Sequence, residues 1–379
     1  MSLRDRLGLT QGAIPNRRRS LFERFGVLEN PFPPASQPMG HPHLVTEVDS
    51  LADQCLRAFI SDQNTQAIVV EGTQGTGKTN LLEYYKKELT DIFAEDEDVY
   101  IVRYYADPEP DFGAVVRRIM QEFGAKHLIR MAMALRTDAA SETRSLLAIV
   151  QNPELRYAFA RMAKLRGESL DIAAELLLEY LMGLRVFKRH TEAIGVQFRL
   201  DTTESKTQAL HDLVFLSLAL NCFKSLFLFL DELEKQGAQS PAVVVRYLSA
   251  IRALIDALPK HMFLLLAMTP DARRRYSQMF PALAGRLQET ISLPPVGTSA
   301  EALRLYHFYL DERRVVAKAD PEAENWTPGT QKPLSDGQVI EMYEVLSIAA
   351  ARQGIKGVTQ RFLLDRFHRE TESRIAGLA

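Results

Sequence analysis

The octapeptide Gly72-Thr73-Gln74-Gly75-Thr76-Gly77-Lys78-Thr79 constrains this chain more than any other stretch, because it separates a strand pattern from a helix pattern. Residues 66–71 form a short, mostly apolar run, and residues 80–89 carry apolar side chains at helical spacing. A strand, a glycine-rich turn and a helix in that order aim successive main-chain N–H groups at one spot, with the positive end of the helix behind them. That arrangement suits a chain of phosphates. Lys78 would reach the outer phosphates, and Thr79 would offer its hydroxyl to Mg²⁺. The spacing predicts a nucleoside triphosphate held by Gly72, Thr73, Gln74, Gly75, Thr76, Gly77, Lys78, Thr79 and the following Asn80.

The rest of the pattern fits a three-layer α/β domain with a parallel central sheet. Further strands are expected over 98–105, 226–232, 261–269 and 289–293, alternating with helices over 46–60, 114–123, 204–223 and 242–258. Leu226-Phe227-Leu228-Phe229-Leu230 is an unbroken apolar run, as a strand covered on both faces requires, and Asp231 and Glu232 close it. Ligands of such sheets sit at the carboxyl ends of the strands, so both acids belong at the site. An aspartate there can hold Mg²⁺ through its water shell, and an adjacent glutamate can polarise an attacking water. Two carboxylates repel a triphosphate unless a cation intervenes, which implies magnesium as a second cofactor. Thr269 ends the next strand, where its hydroxyl would meet the γ-phosphate or the attacking water. Arg273, Arg274 and Arg275 follow it and are expected to face solvent.

A length of 379 residues exceeds one compact core. Three regions are expected: a basic arm and entry segment over 1–44, a P-loop core over 45–295 with a helical insertion at about 127–200, and a helical lid over 296–379. The arm carries Arg4, Arg6, Arg17, Arg18, Arg19 and Arg24. It reads either as a solvated tail or as an arm touching nucleic acid or a neighbouring subunit. Lid helices are expected over 300–312, 335–352 and 359–376. In the helical region, Met120, Met131, Met133 and Met162 read as core packing more readily than as a partner groove. A net charge of −2 gives no global pull toward nucleic acid, so any such contact must be local. Cys55 and Cys222 have no metal-ligand spacing, nor do His41 and His43. The apolar stretch 213–230 is broken by Asn221 and Lys224, so a helix followed by a strand is expected, not a membrane span. With no secretory signal, a soluble cytoplasmic protein is expected.

Leu228-Phe229-Leu230-Asp231-Glu232 resembles the Walker B motif of AAA+ ATPases, and the loop at 72–79 their Walker A motif. Thr269 falls where that family carries sensor 1. Leu283-Ala284-Gly285-Arg286-Leu287 looks like the box holding its arginine finger, and 354–361 resembles the start of its lid helix, with Arg361 as sensor 2. Asn30-Pro31-Phe32 is similar to the adenine-side entry segment of the replication-initiator and transposition-regulator branch. The resemblance spans about 30–379 and implies ATP and Mg²⁺ as cofactors, Thr79 and Asp231 as metal ligands, and Glu232, Lys78, Thr269, Arg286 and Arg361 as catalytic residues. It implies a homo-oligomer with Arg286 acting in trans, a device worth about 10³ to 10⁵ in rate, so that a lone subunit would be a slow ATPase. Two roles stay open: a DNA-associated ATPase that assembles on or remodels nucleoprotein, and a switch platform that recruits an effector protein without binding DNA. The first would use the basic arm, Arg117-Arg118 or the helical insertion.

Overall fold

The computed structural model describes residues 21–37, 40–106, 111–136, 140–287, 289–319, 329–352 and 354–378. Arg4, Arg6, Arg17, Arg18 and Arg19 of the arm lie outside the described residues. The chain forms two compact units, one of residues 47–71 and 85–291, the other of residues 1–46, 72–84 and 292–379.

The first unit is built on a sheet. Its elements are α1 (Asp49–Asp62), β1 (Gln66–Glu71), the later part of α2 (Lys78–Ile92), β2 (Val99–Tyr105) and α3 (Gly113–Ala134). Then come α4 (Ala140–Leu147), α5 (Pro153–Met162), α6 (Glu168–Leu181), α7 (Lys188–Ile194), α8 (Thr203–Ala219) and β3 (Ser225–Asp231). After a 3₁₀ turn at Leu233–Ala238 follow α9 (Pro241–Ala257), β4 (Met262–Met268), α10 (Pro270–Met279), α11 (Pro281–Ala284) and β5 (Glu289–Ser292). The strand order is β2-β3-β4-β1-β5. β1 pairs with β4, β4 with β3 and β3 with β2, all parallel, with Glu71 opposite Met268 and Leu230 opposite Leu266. The carboxyl ends of β1, β3 and β4 therefore share one edge of the sheet. Every residue of β3 and β4 is buried, the consequence of covering both faces.

Phe59 packs against Phe227 and Phe263 at centroid distances of 5.3 and 5.6 Å. In a second part of the core, Tyr100 and Val102 join Phe123, Met131, Phe159, Tyr180 and Leu213. The helices between β2 and β3 thus share one hydrophobic core with the sheet. Met120, Met131 and Met162 are buried in it, whereas Met133 is exposed. The helix expected over 114–123 continues to Ala134, with a kink at Gly124 (φ 66°, ψ 174°). A residue without Cβ takes that conformation cheaply, and the apolar pattern resumes beyond it at Leu128 and Met131. The 213–230 stretch divides as expected, α8 ending at Ala219 and Asn221 turning the chain at φ 52°. No helix among the described residues is long and apolar enough to cross a membrane.

His127 lies in the same core, its ring nitrogens bonded to the Tyr100 hydroxyl at 2.7 Å and to Ser217 Oγ at 2.9 Å. Burial, helped by the Arg130 charge, pushes its pKa from 6.5 down to about 3. Above pH 6.5 the imidazole is neutral in folded and unfolded chains alike. Below it the unfolded chain takes up a proton that the folded chain refuses, so stability falls as pH falls. Between pH 6.5 and 5 this group should remove roughly 2 kcal/mol. Urea titrations of wild type and His127→Gln should show the wild type losing that much more over this interval. Parallel acid limbs would remove His127 as the cause.

The second unit holds a 3₁₀ turn at Glu23–Phe25, the phosphate loop with the first part of α2, and the helices α12 (Ser299–Lys318), α13 (Asp336–Arg352) and α14 (Gln360–Leu378). Thr298 caps α12 by accepting from the Glu301 N–H at 3.2 Å. Val296 and Val358 form an antiparallel bridge. The core of this unit is its own, with Phe22, Phe25, Phe32, Leu305, Tyr306, Val339, Leu363 and Phe367 buried together.

Candidate functional site

The phosphate loop sits between the end of β1 and the start of α2. Gly75 and Gly77 have φ of 84° and 100°, where a side chain is strained. A Cβ on Gly72 would stand 2.4 Å from Thr76 Oγ1. Thr76 Oγ1 donates to the Thr73 carbonyl at 2.9 Å, which closes the turn. Lys78 is the first residue of α2 and is buried, its ammonium donating to the Gly72 carbonyl at 2.8 Å and the Thr73 carbonyl at 3.4 Å. The loop therefore curls around its own cation at a helix N-terminus, a cradle suited to phosphate oxygens. Asn80 donates to the Pro42 carbonyl at 3.1 Å, an anchoring role for a residue expected to be part of the ligand site.

Within the same unit, the start of α14 lies against this loop. The Arg361 N–H donates to the Gly75 carbonyl at 3.1 Å, and a Cβ on Gly77 would come within 2.9 Å of Gln360 Oε1. Arg361 thus meets the loop through its main chain, and its side chain is exposed. The entry segment also has a packing role. Phe32 is buried, stacked on Tyr306 at 5.0 Å and edge-on to Phe367 at 5.5 Å. Asn30 donates to the His368 carbonyl and to Glu372, and accepts from the Phe32 N–H. The side chains of Asn30 and Phe32 are committed to holding the segment, including Pro31, against the helices of this unit.

In the sheet unit, Asp231 ends β3 and is 0% exposed. Its Oδ2 accepts from the Arg103 guanidinium at 2.9 Å, and its Oδ1 accepts from the Glu232 N–H at 2.9 Å. Arg103 comes from β2 and also lies over the Tyr105 ring at 4.5 Å. Glu232 adopts the left-handed conformation, φ 57° and ψ 36°, which a non-glycine residue holds only where its surroundings impose it. Its carboxylate pairs with Lys235 at 2.6 Å. Arg103 and Lys235 thus balance the two acids, so their charges do not by themselves demand a metal. That corrects the electrostatic expectation.

Arg103 was legible in principle. A lone charge inside the strand Val99–Tyr105 needs a buried partner, and parallel pairing with β3 offers Asp231.

Thr269 caps α10, its Oγ1 accepting from the Ala272 N–H at 3.3 Å, while its own O–H stays a donor. Arg273 does not simply face solvent: it pairs with Glu71 at the end of β1, at 2.7 Å. Arg275 lies over the Tyr276 ring at 5.1 Å, and Arg274 is exposed. Arg286 is half-exposed and pairs with Asp256 at 2.6 Å. Among the described residues no group of three His, Cys, Asp or Glu side chains could cage a metal. Magnesium takes oxygen donors, and the Thr79 hydroxyl and the Asp231 carboxylate are each of that chemical kind. Asp231 uses two of about four acceptor directions, which leaves capacity for a metal-bound water.

No family model matches the chain, and no curated protein matches it. Among solved structures it is similar to the ORC2 protein of Aeropyrum pernix in its ADP form, at 15% identity and TM-score 0.42, over 89% of this chain and 73% of that one. It is similar to the Aeropyrum pernix ORC1 protein in complex with DNA, at 14% identity and TM-score 0.41, over 93% and 71%. It is also similar to Cdc6p from Pyrobaculum aerophilum, at 12% identity and TM-score 0.36, over 86% and 67%. By its own five-stranded sheet and phosphate loop, the chain has a P-loop α/β core followed by a helical C-terminal region, the architecture that the AAA+ resemblance implied.

Proposed function

We propose that this chain is an ATPase whose nucleotide state governs its assembly on DNA or nucleoprotein. The reading rests above all on the loop at residues 72–79, curled by left-handed Gly75 and Gly77 around the buried ammonium of Lys78. Lys78 and the N-terminus of α2 would neutralise the β- and γ-phosphates. Glu232, aimed by its left-handed backbone, would orient the attacking water, and the Thr269 hydroxyl would donate to the γ-phosphate. Thr79 and Asp231 would hold Mg²⁺, which would supply charge neutralisation on the phosphate oxygens. Arg361, at the start of α14, would close the lid over the nucleotide. Arg286 would serve a neighbouring subunit, for which its exposed pair with Asp256 must open at a cost of about 1 kcal/mol or less. ATP, not GTP, follows from the family likeness.

DNA contact is proposed to come from the basic arm. Arg117 and Arg118 are weaker candidates, since Arg117 donates to the Met182 carbonyl and Arg118 pairs with Glu122. The effector-recruiting alternative draws support from Phe187 and Phe198, both exposed in the helical region.

Glu232→Gln should bind MgATP as wild type does and hydrolyse it about 10² to 10⁴ times more slowly. Unchanged turnover would remove Glu232 from the reaction. Filter retention of duplex DNA with ATP at low salt should be strong and fall steeply as salt rises. A chain that hydrolyses ATP yet retains no DNA at low salt would be the effector platform.

A further inference from the structure

The helix α13 carries a stripe that its own unit leaves uncovered. Only Val339 and Tyr343 of its 17 residues are buried. Val345 and Ile348 are 62% and 57% exposed. Glu341, Val345, Ile348 and Arg352 follow one another at steps of four, three and four residues, the spacing of a coiled-coil seam, so they lie along one face. Glu341 and Arg352 are both exposed, and neither has an ion-pair partner among the described residues.

This face is complementary to itself. When two copies are laid antiparallel with a two-fold axis between positions 346 and 347, Val345 of one meets Ile348 of the other. The same axis brings Glu341 onto Arg352, because both pairs are symmetric about that point of the helix. A parallel pairing would set Glu341 against Glu341 and Arg352 against Arg352, like charges that oppose association. Beside the seam, Leu346, Ala349, Ala350, Ile355 and Phe362 line a shallow apolar groove that enlarges the contact. Phe362 is 64% exposed there.

We propose that α13 is a dimerisation helix that seats a second copy of this chain antiparallel, Val345 against Ile348 and Glu341 against Arg352. The contact is isologous, the same patch serving both copies, and it closes on itself. A few side chains per copy fall short of the roughly 800 Å² per partner of a standard interface. The dimer is therefore reversible, with a dissociation constant on the order of micromolar or weaker. Neither nucleotide nor Arg286 takes part in it, which separates it from the assembly expected of the ATPase.

Sedimentation velocity of the full chain without nucleotide, across a wide concentration range, tests the pairing. Wild type should pass from monomer to dimer. Glu341→Arg and Arg352→Glu, each alone, should weaken the dimer at least about tenfold by facing like charges across the seam. Mixing these two single variants should restore association as a heterodimer, and the double variant should restore the homodimer. Both substitutions are on exposed positions, and circular dichroism checks that α13 is retained. Arg286→Ala should leave the dimer unchanged. Wild type monomeric throughout, single variants that dimerise like wild type, or a mixture that stays monomeric would each overturn the proposal.

Discussion

Lys78→Ala is expected to abolish measurable MgATP binding and, with it, hydrolysis. The ammonium is the only formal positive charge that residues 72–79 contribute, and it is buried against the Gly72 and Thr73 carbonyls. A charge-assisted contact to phosphate made in such a dry place is worth about 2–5 kcal/mol when one partner is truncated, or a loss of roughly thirtyfold to several thousandfold in affinity. Calorimetric titration of MgATP should give heat for wild type and none for Lys78→Ala at the same concentrations. Lys78→Arg separates charge from shape, since a planar guanidinium cannot sit in a space fitted to an ammonium. It should bind far more weakly than wild type despite keeping the charge. If Lys78→Ala bound MgATP within about threefold of wild type, a difference under 1 kcal/mol, the phosphate-cradle reading of the loop would fail.

Much of this site could be read from residues alone, because its physics is local. The loop announces itself through glycines at positions that need positive φ and a lysine opening a helix. The run Leu226–Leu230 announces a strand covered on both faces, and all of β3 is buried. What the sequence hid depends on partners distant in the chain. Phe32 reads only as part of a nucleotide entry segment, and nothing near it in the chain announces its packing against Tyr306 and Phe367. Arg273 reads as solvated until Glu71, about two hundred residues earlier, is found beside it. Helix limits were blurred for a different reason. Gly124 breaks the φ/ψ pattern without breaking the apolar spacing, so a stop written for one helix became a kink inside a longer one.

The largest effect on stability should come from Arg103, a residue with no part in the sequence motifs. Arg103 and Asp231 are paired at 2.9 Å with side chains 3% and 0% exposed. Arg103→Met keeps the bulk of the side chain but leaves the Asp231 carboxylate buried with the Glu232 N–H as its remaining donor of the two described. An uncompensated buried charge of this kind costs about 3–5 kcal/mol, more than most single substitutions. Because Asp231 Oδ1 also holds the Glu232 main chain, the left-handed turn at Glu232 should loosen as well, and on the role proposed for Glu232 hydrolysis should fall even where the protein remains folded. The double variant Arg103→Met/Asp231→Asn removes both charges and should recover most of the lost stability, though not hydrolysis. Urea unfolding of the two single variants and the double variant completes the cycle. A loss under about 1 kcal/mol for Arg103→Met would mean that water or another cation already screens Asp231, and the ion pair would not be what fixes the acidic end of β3.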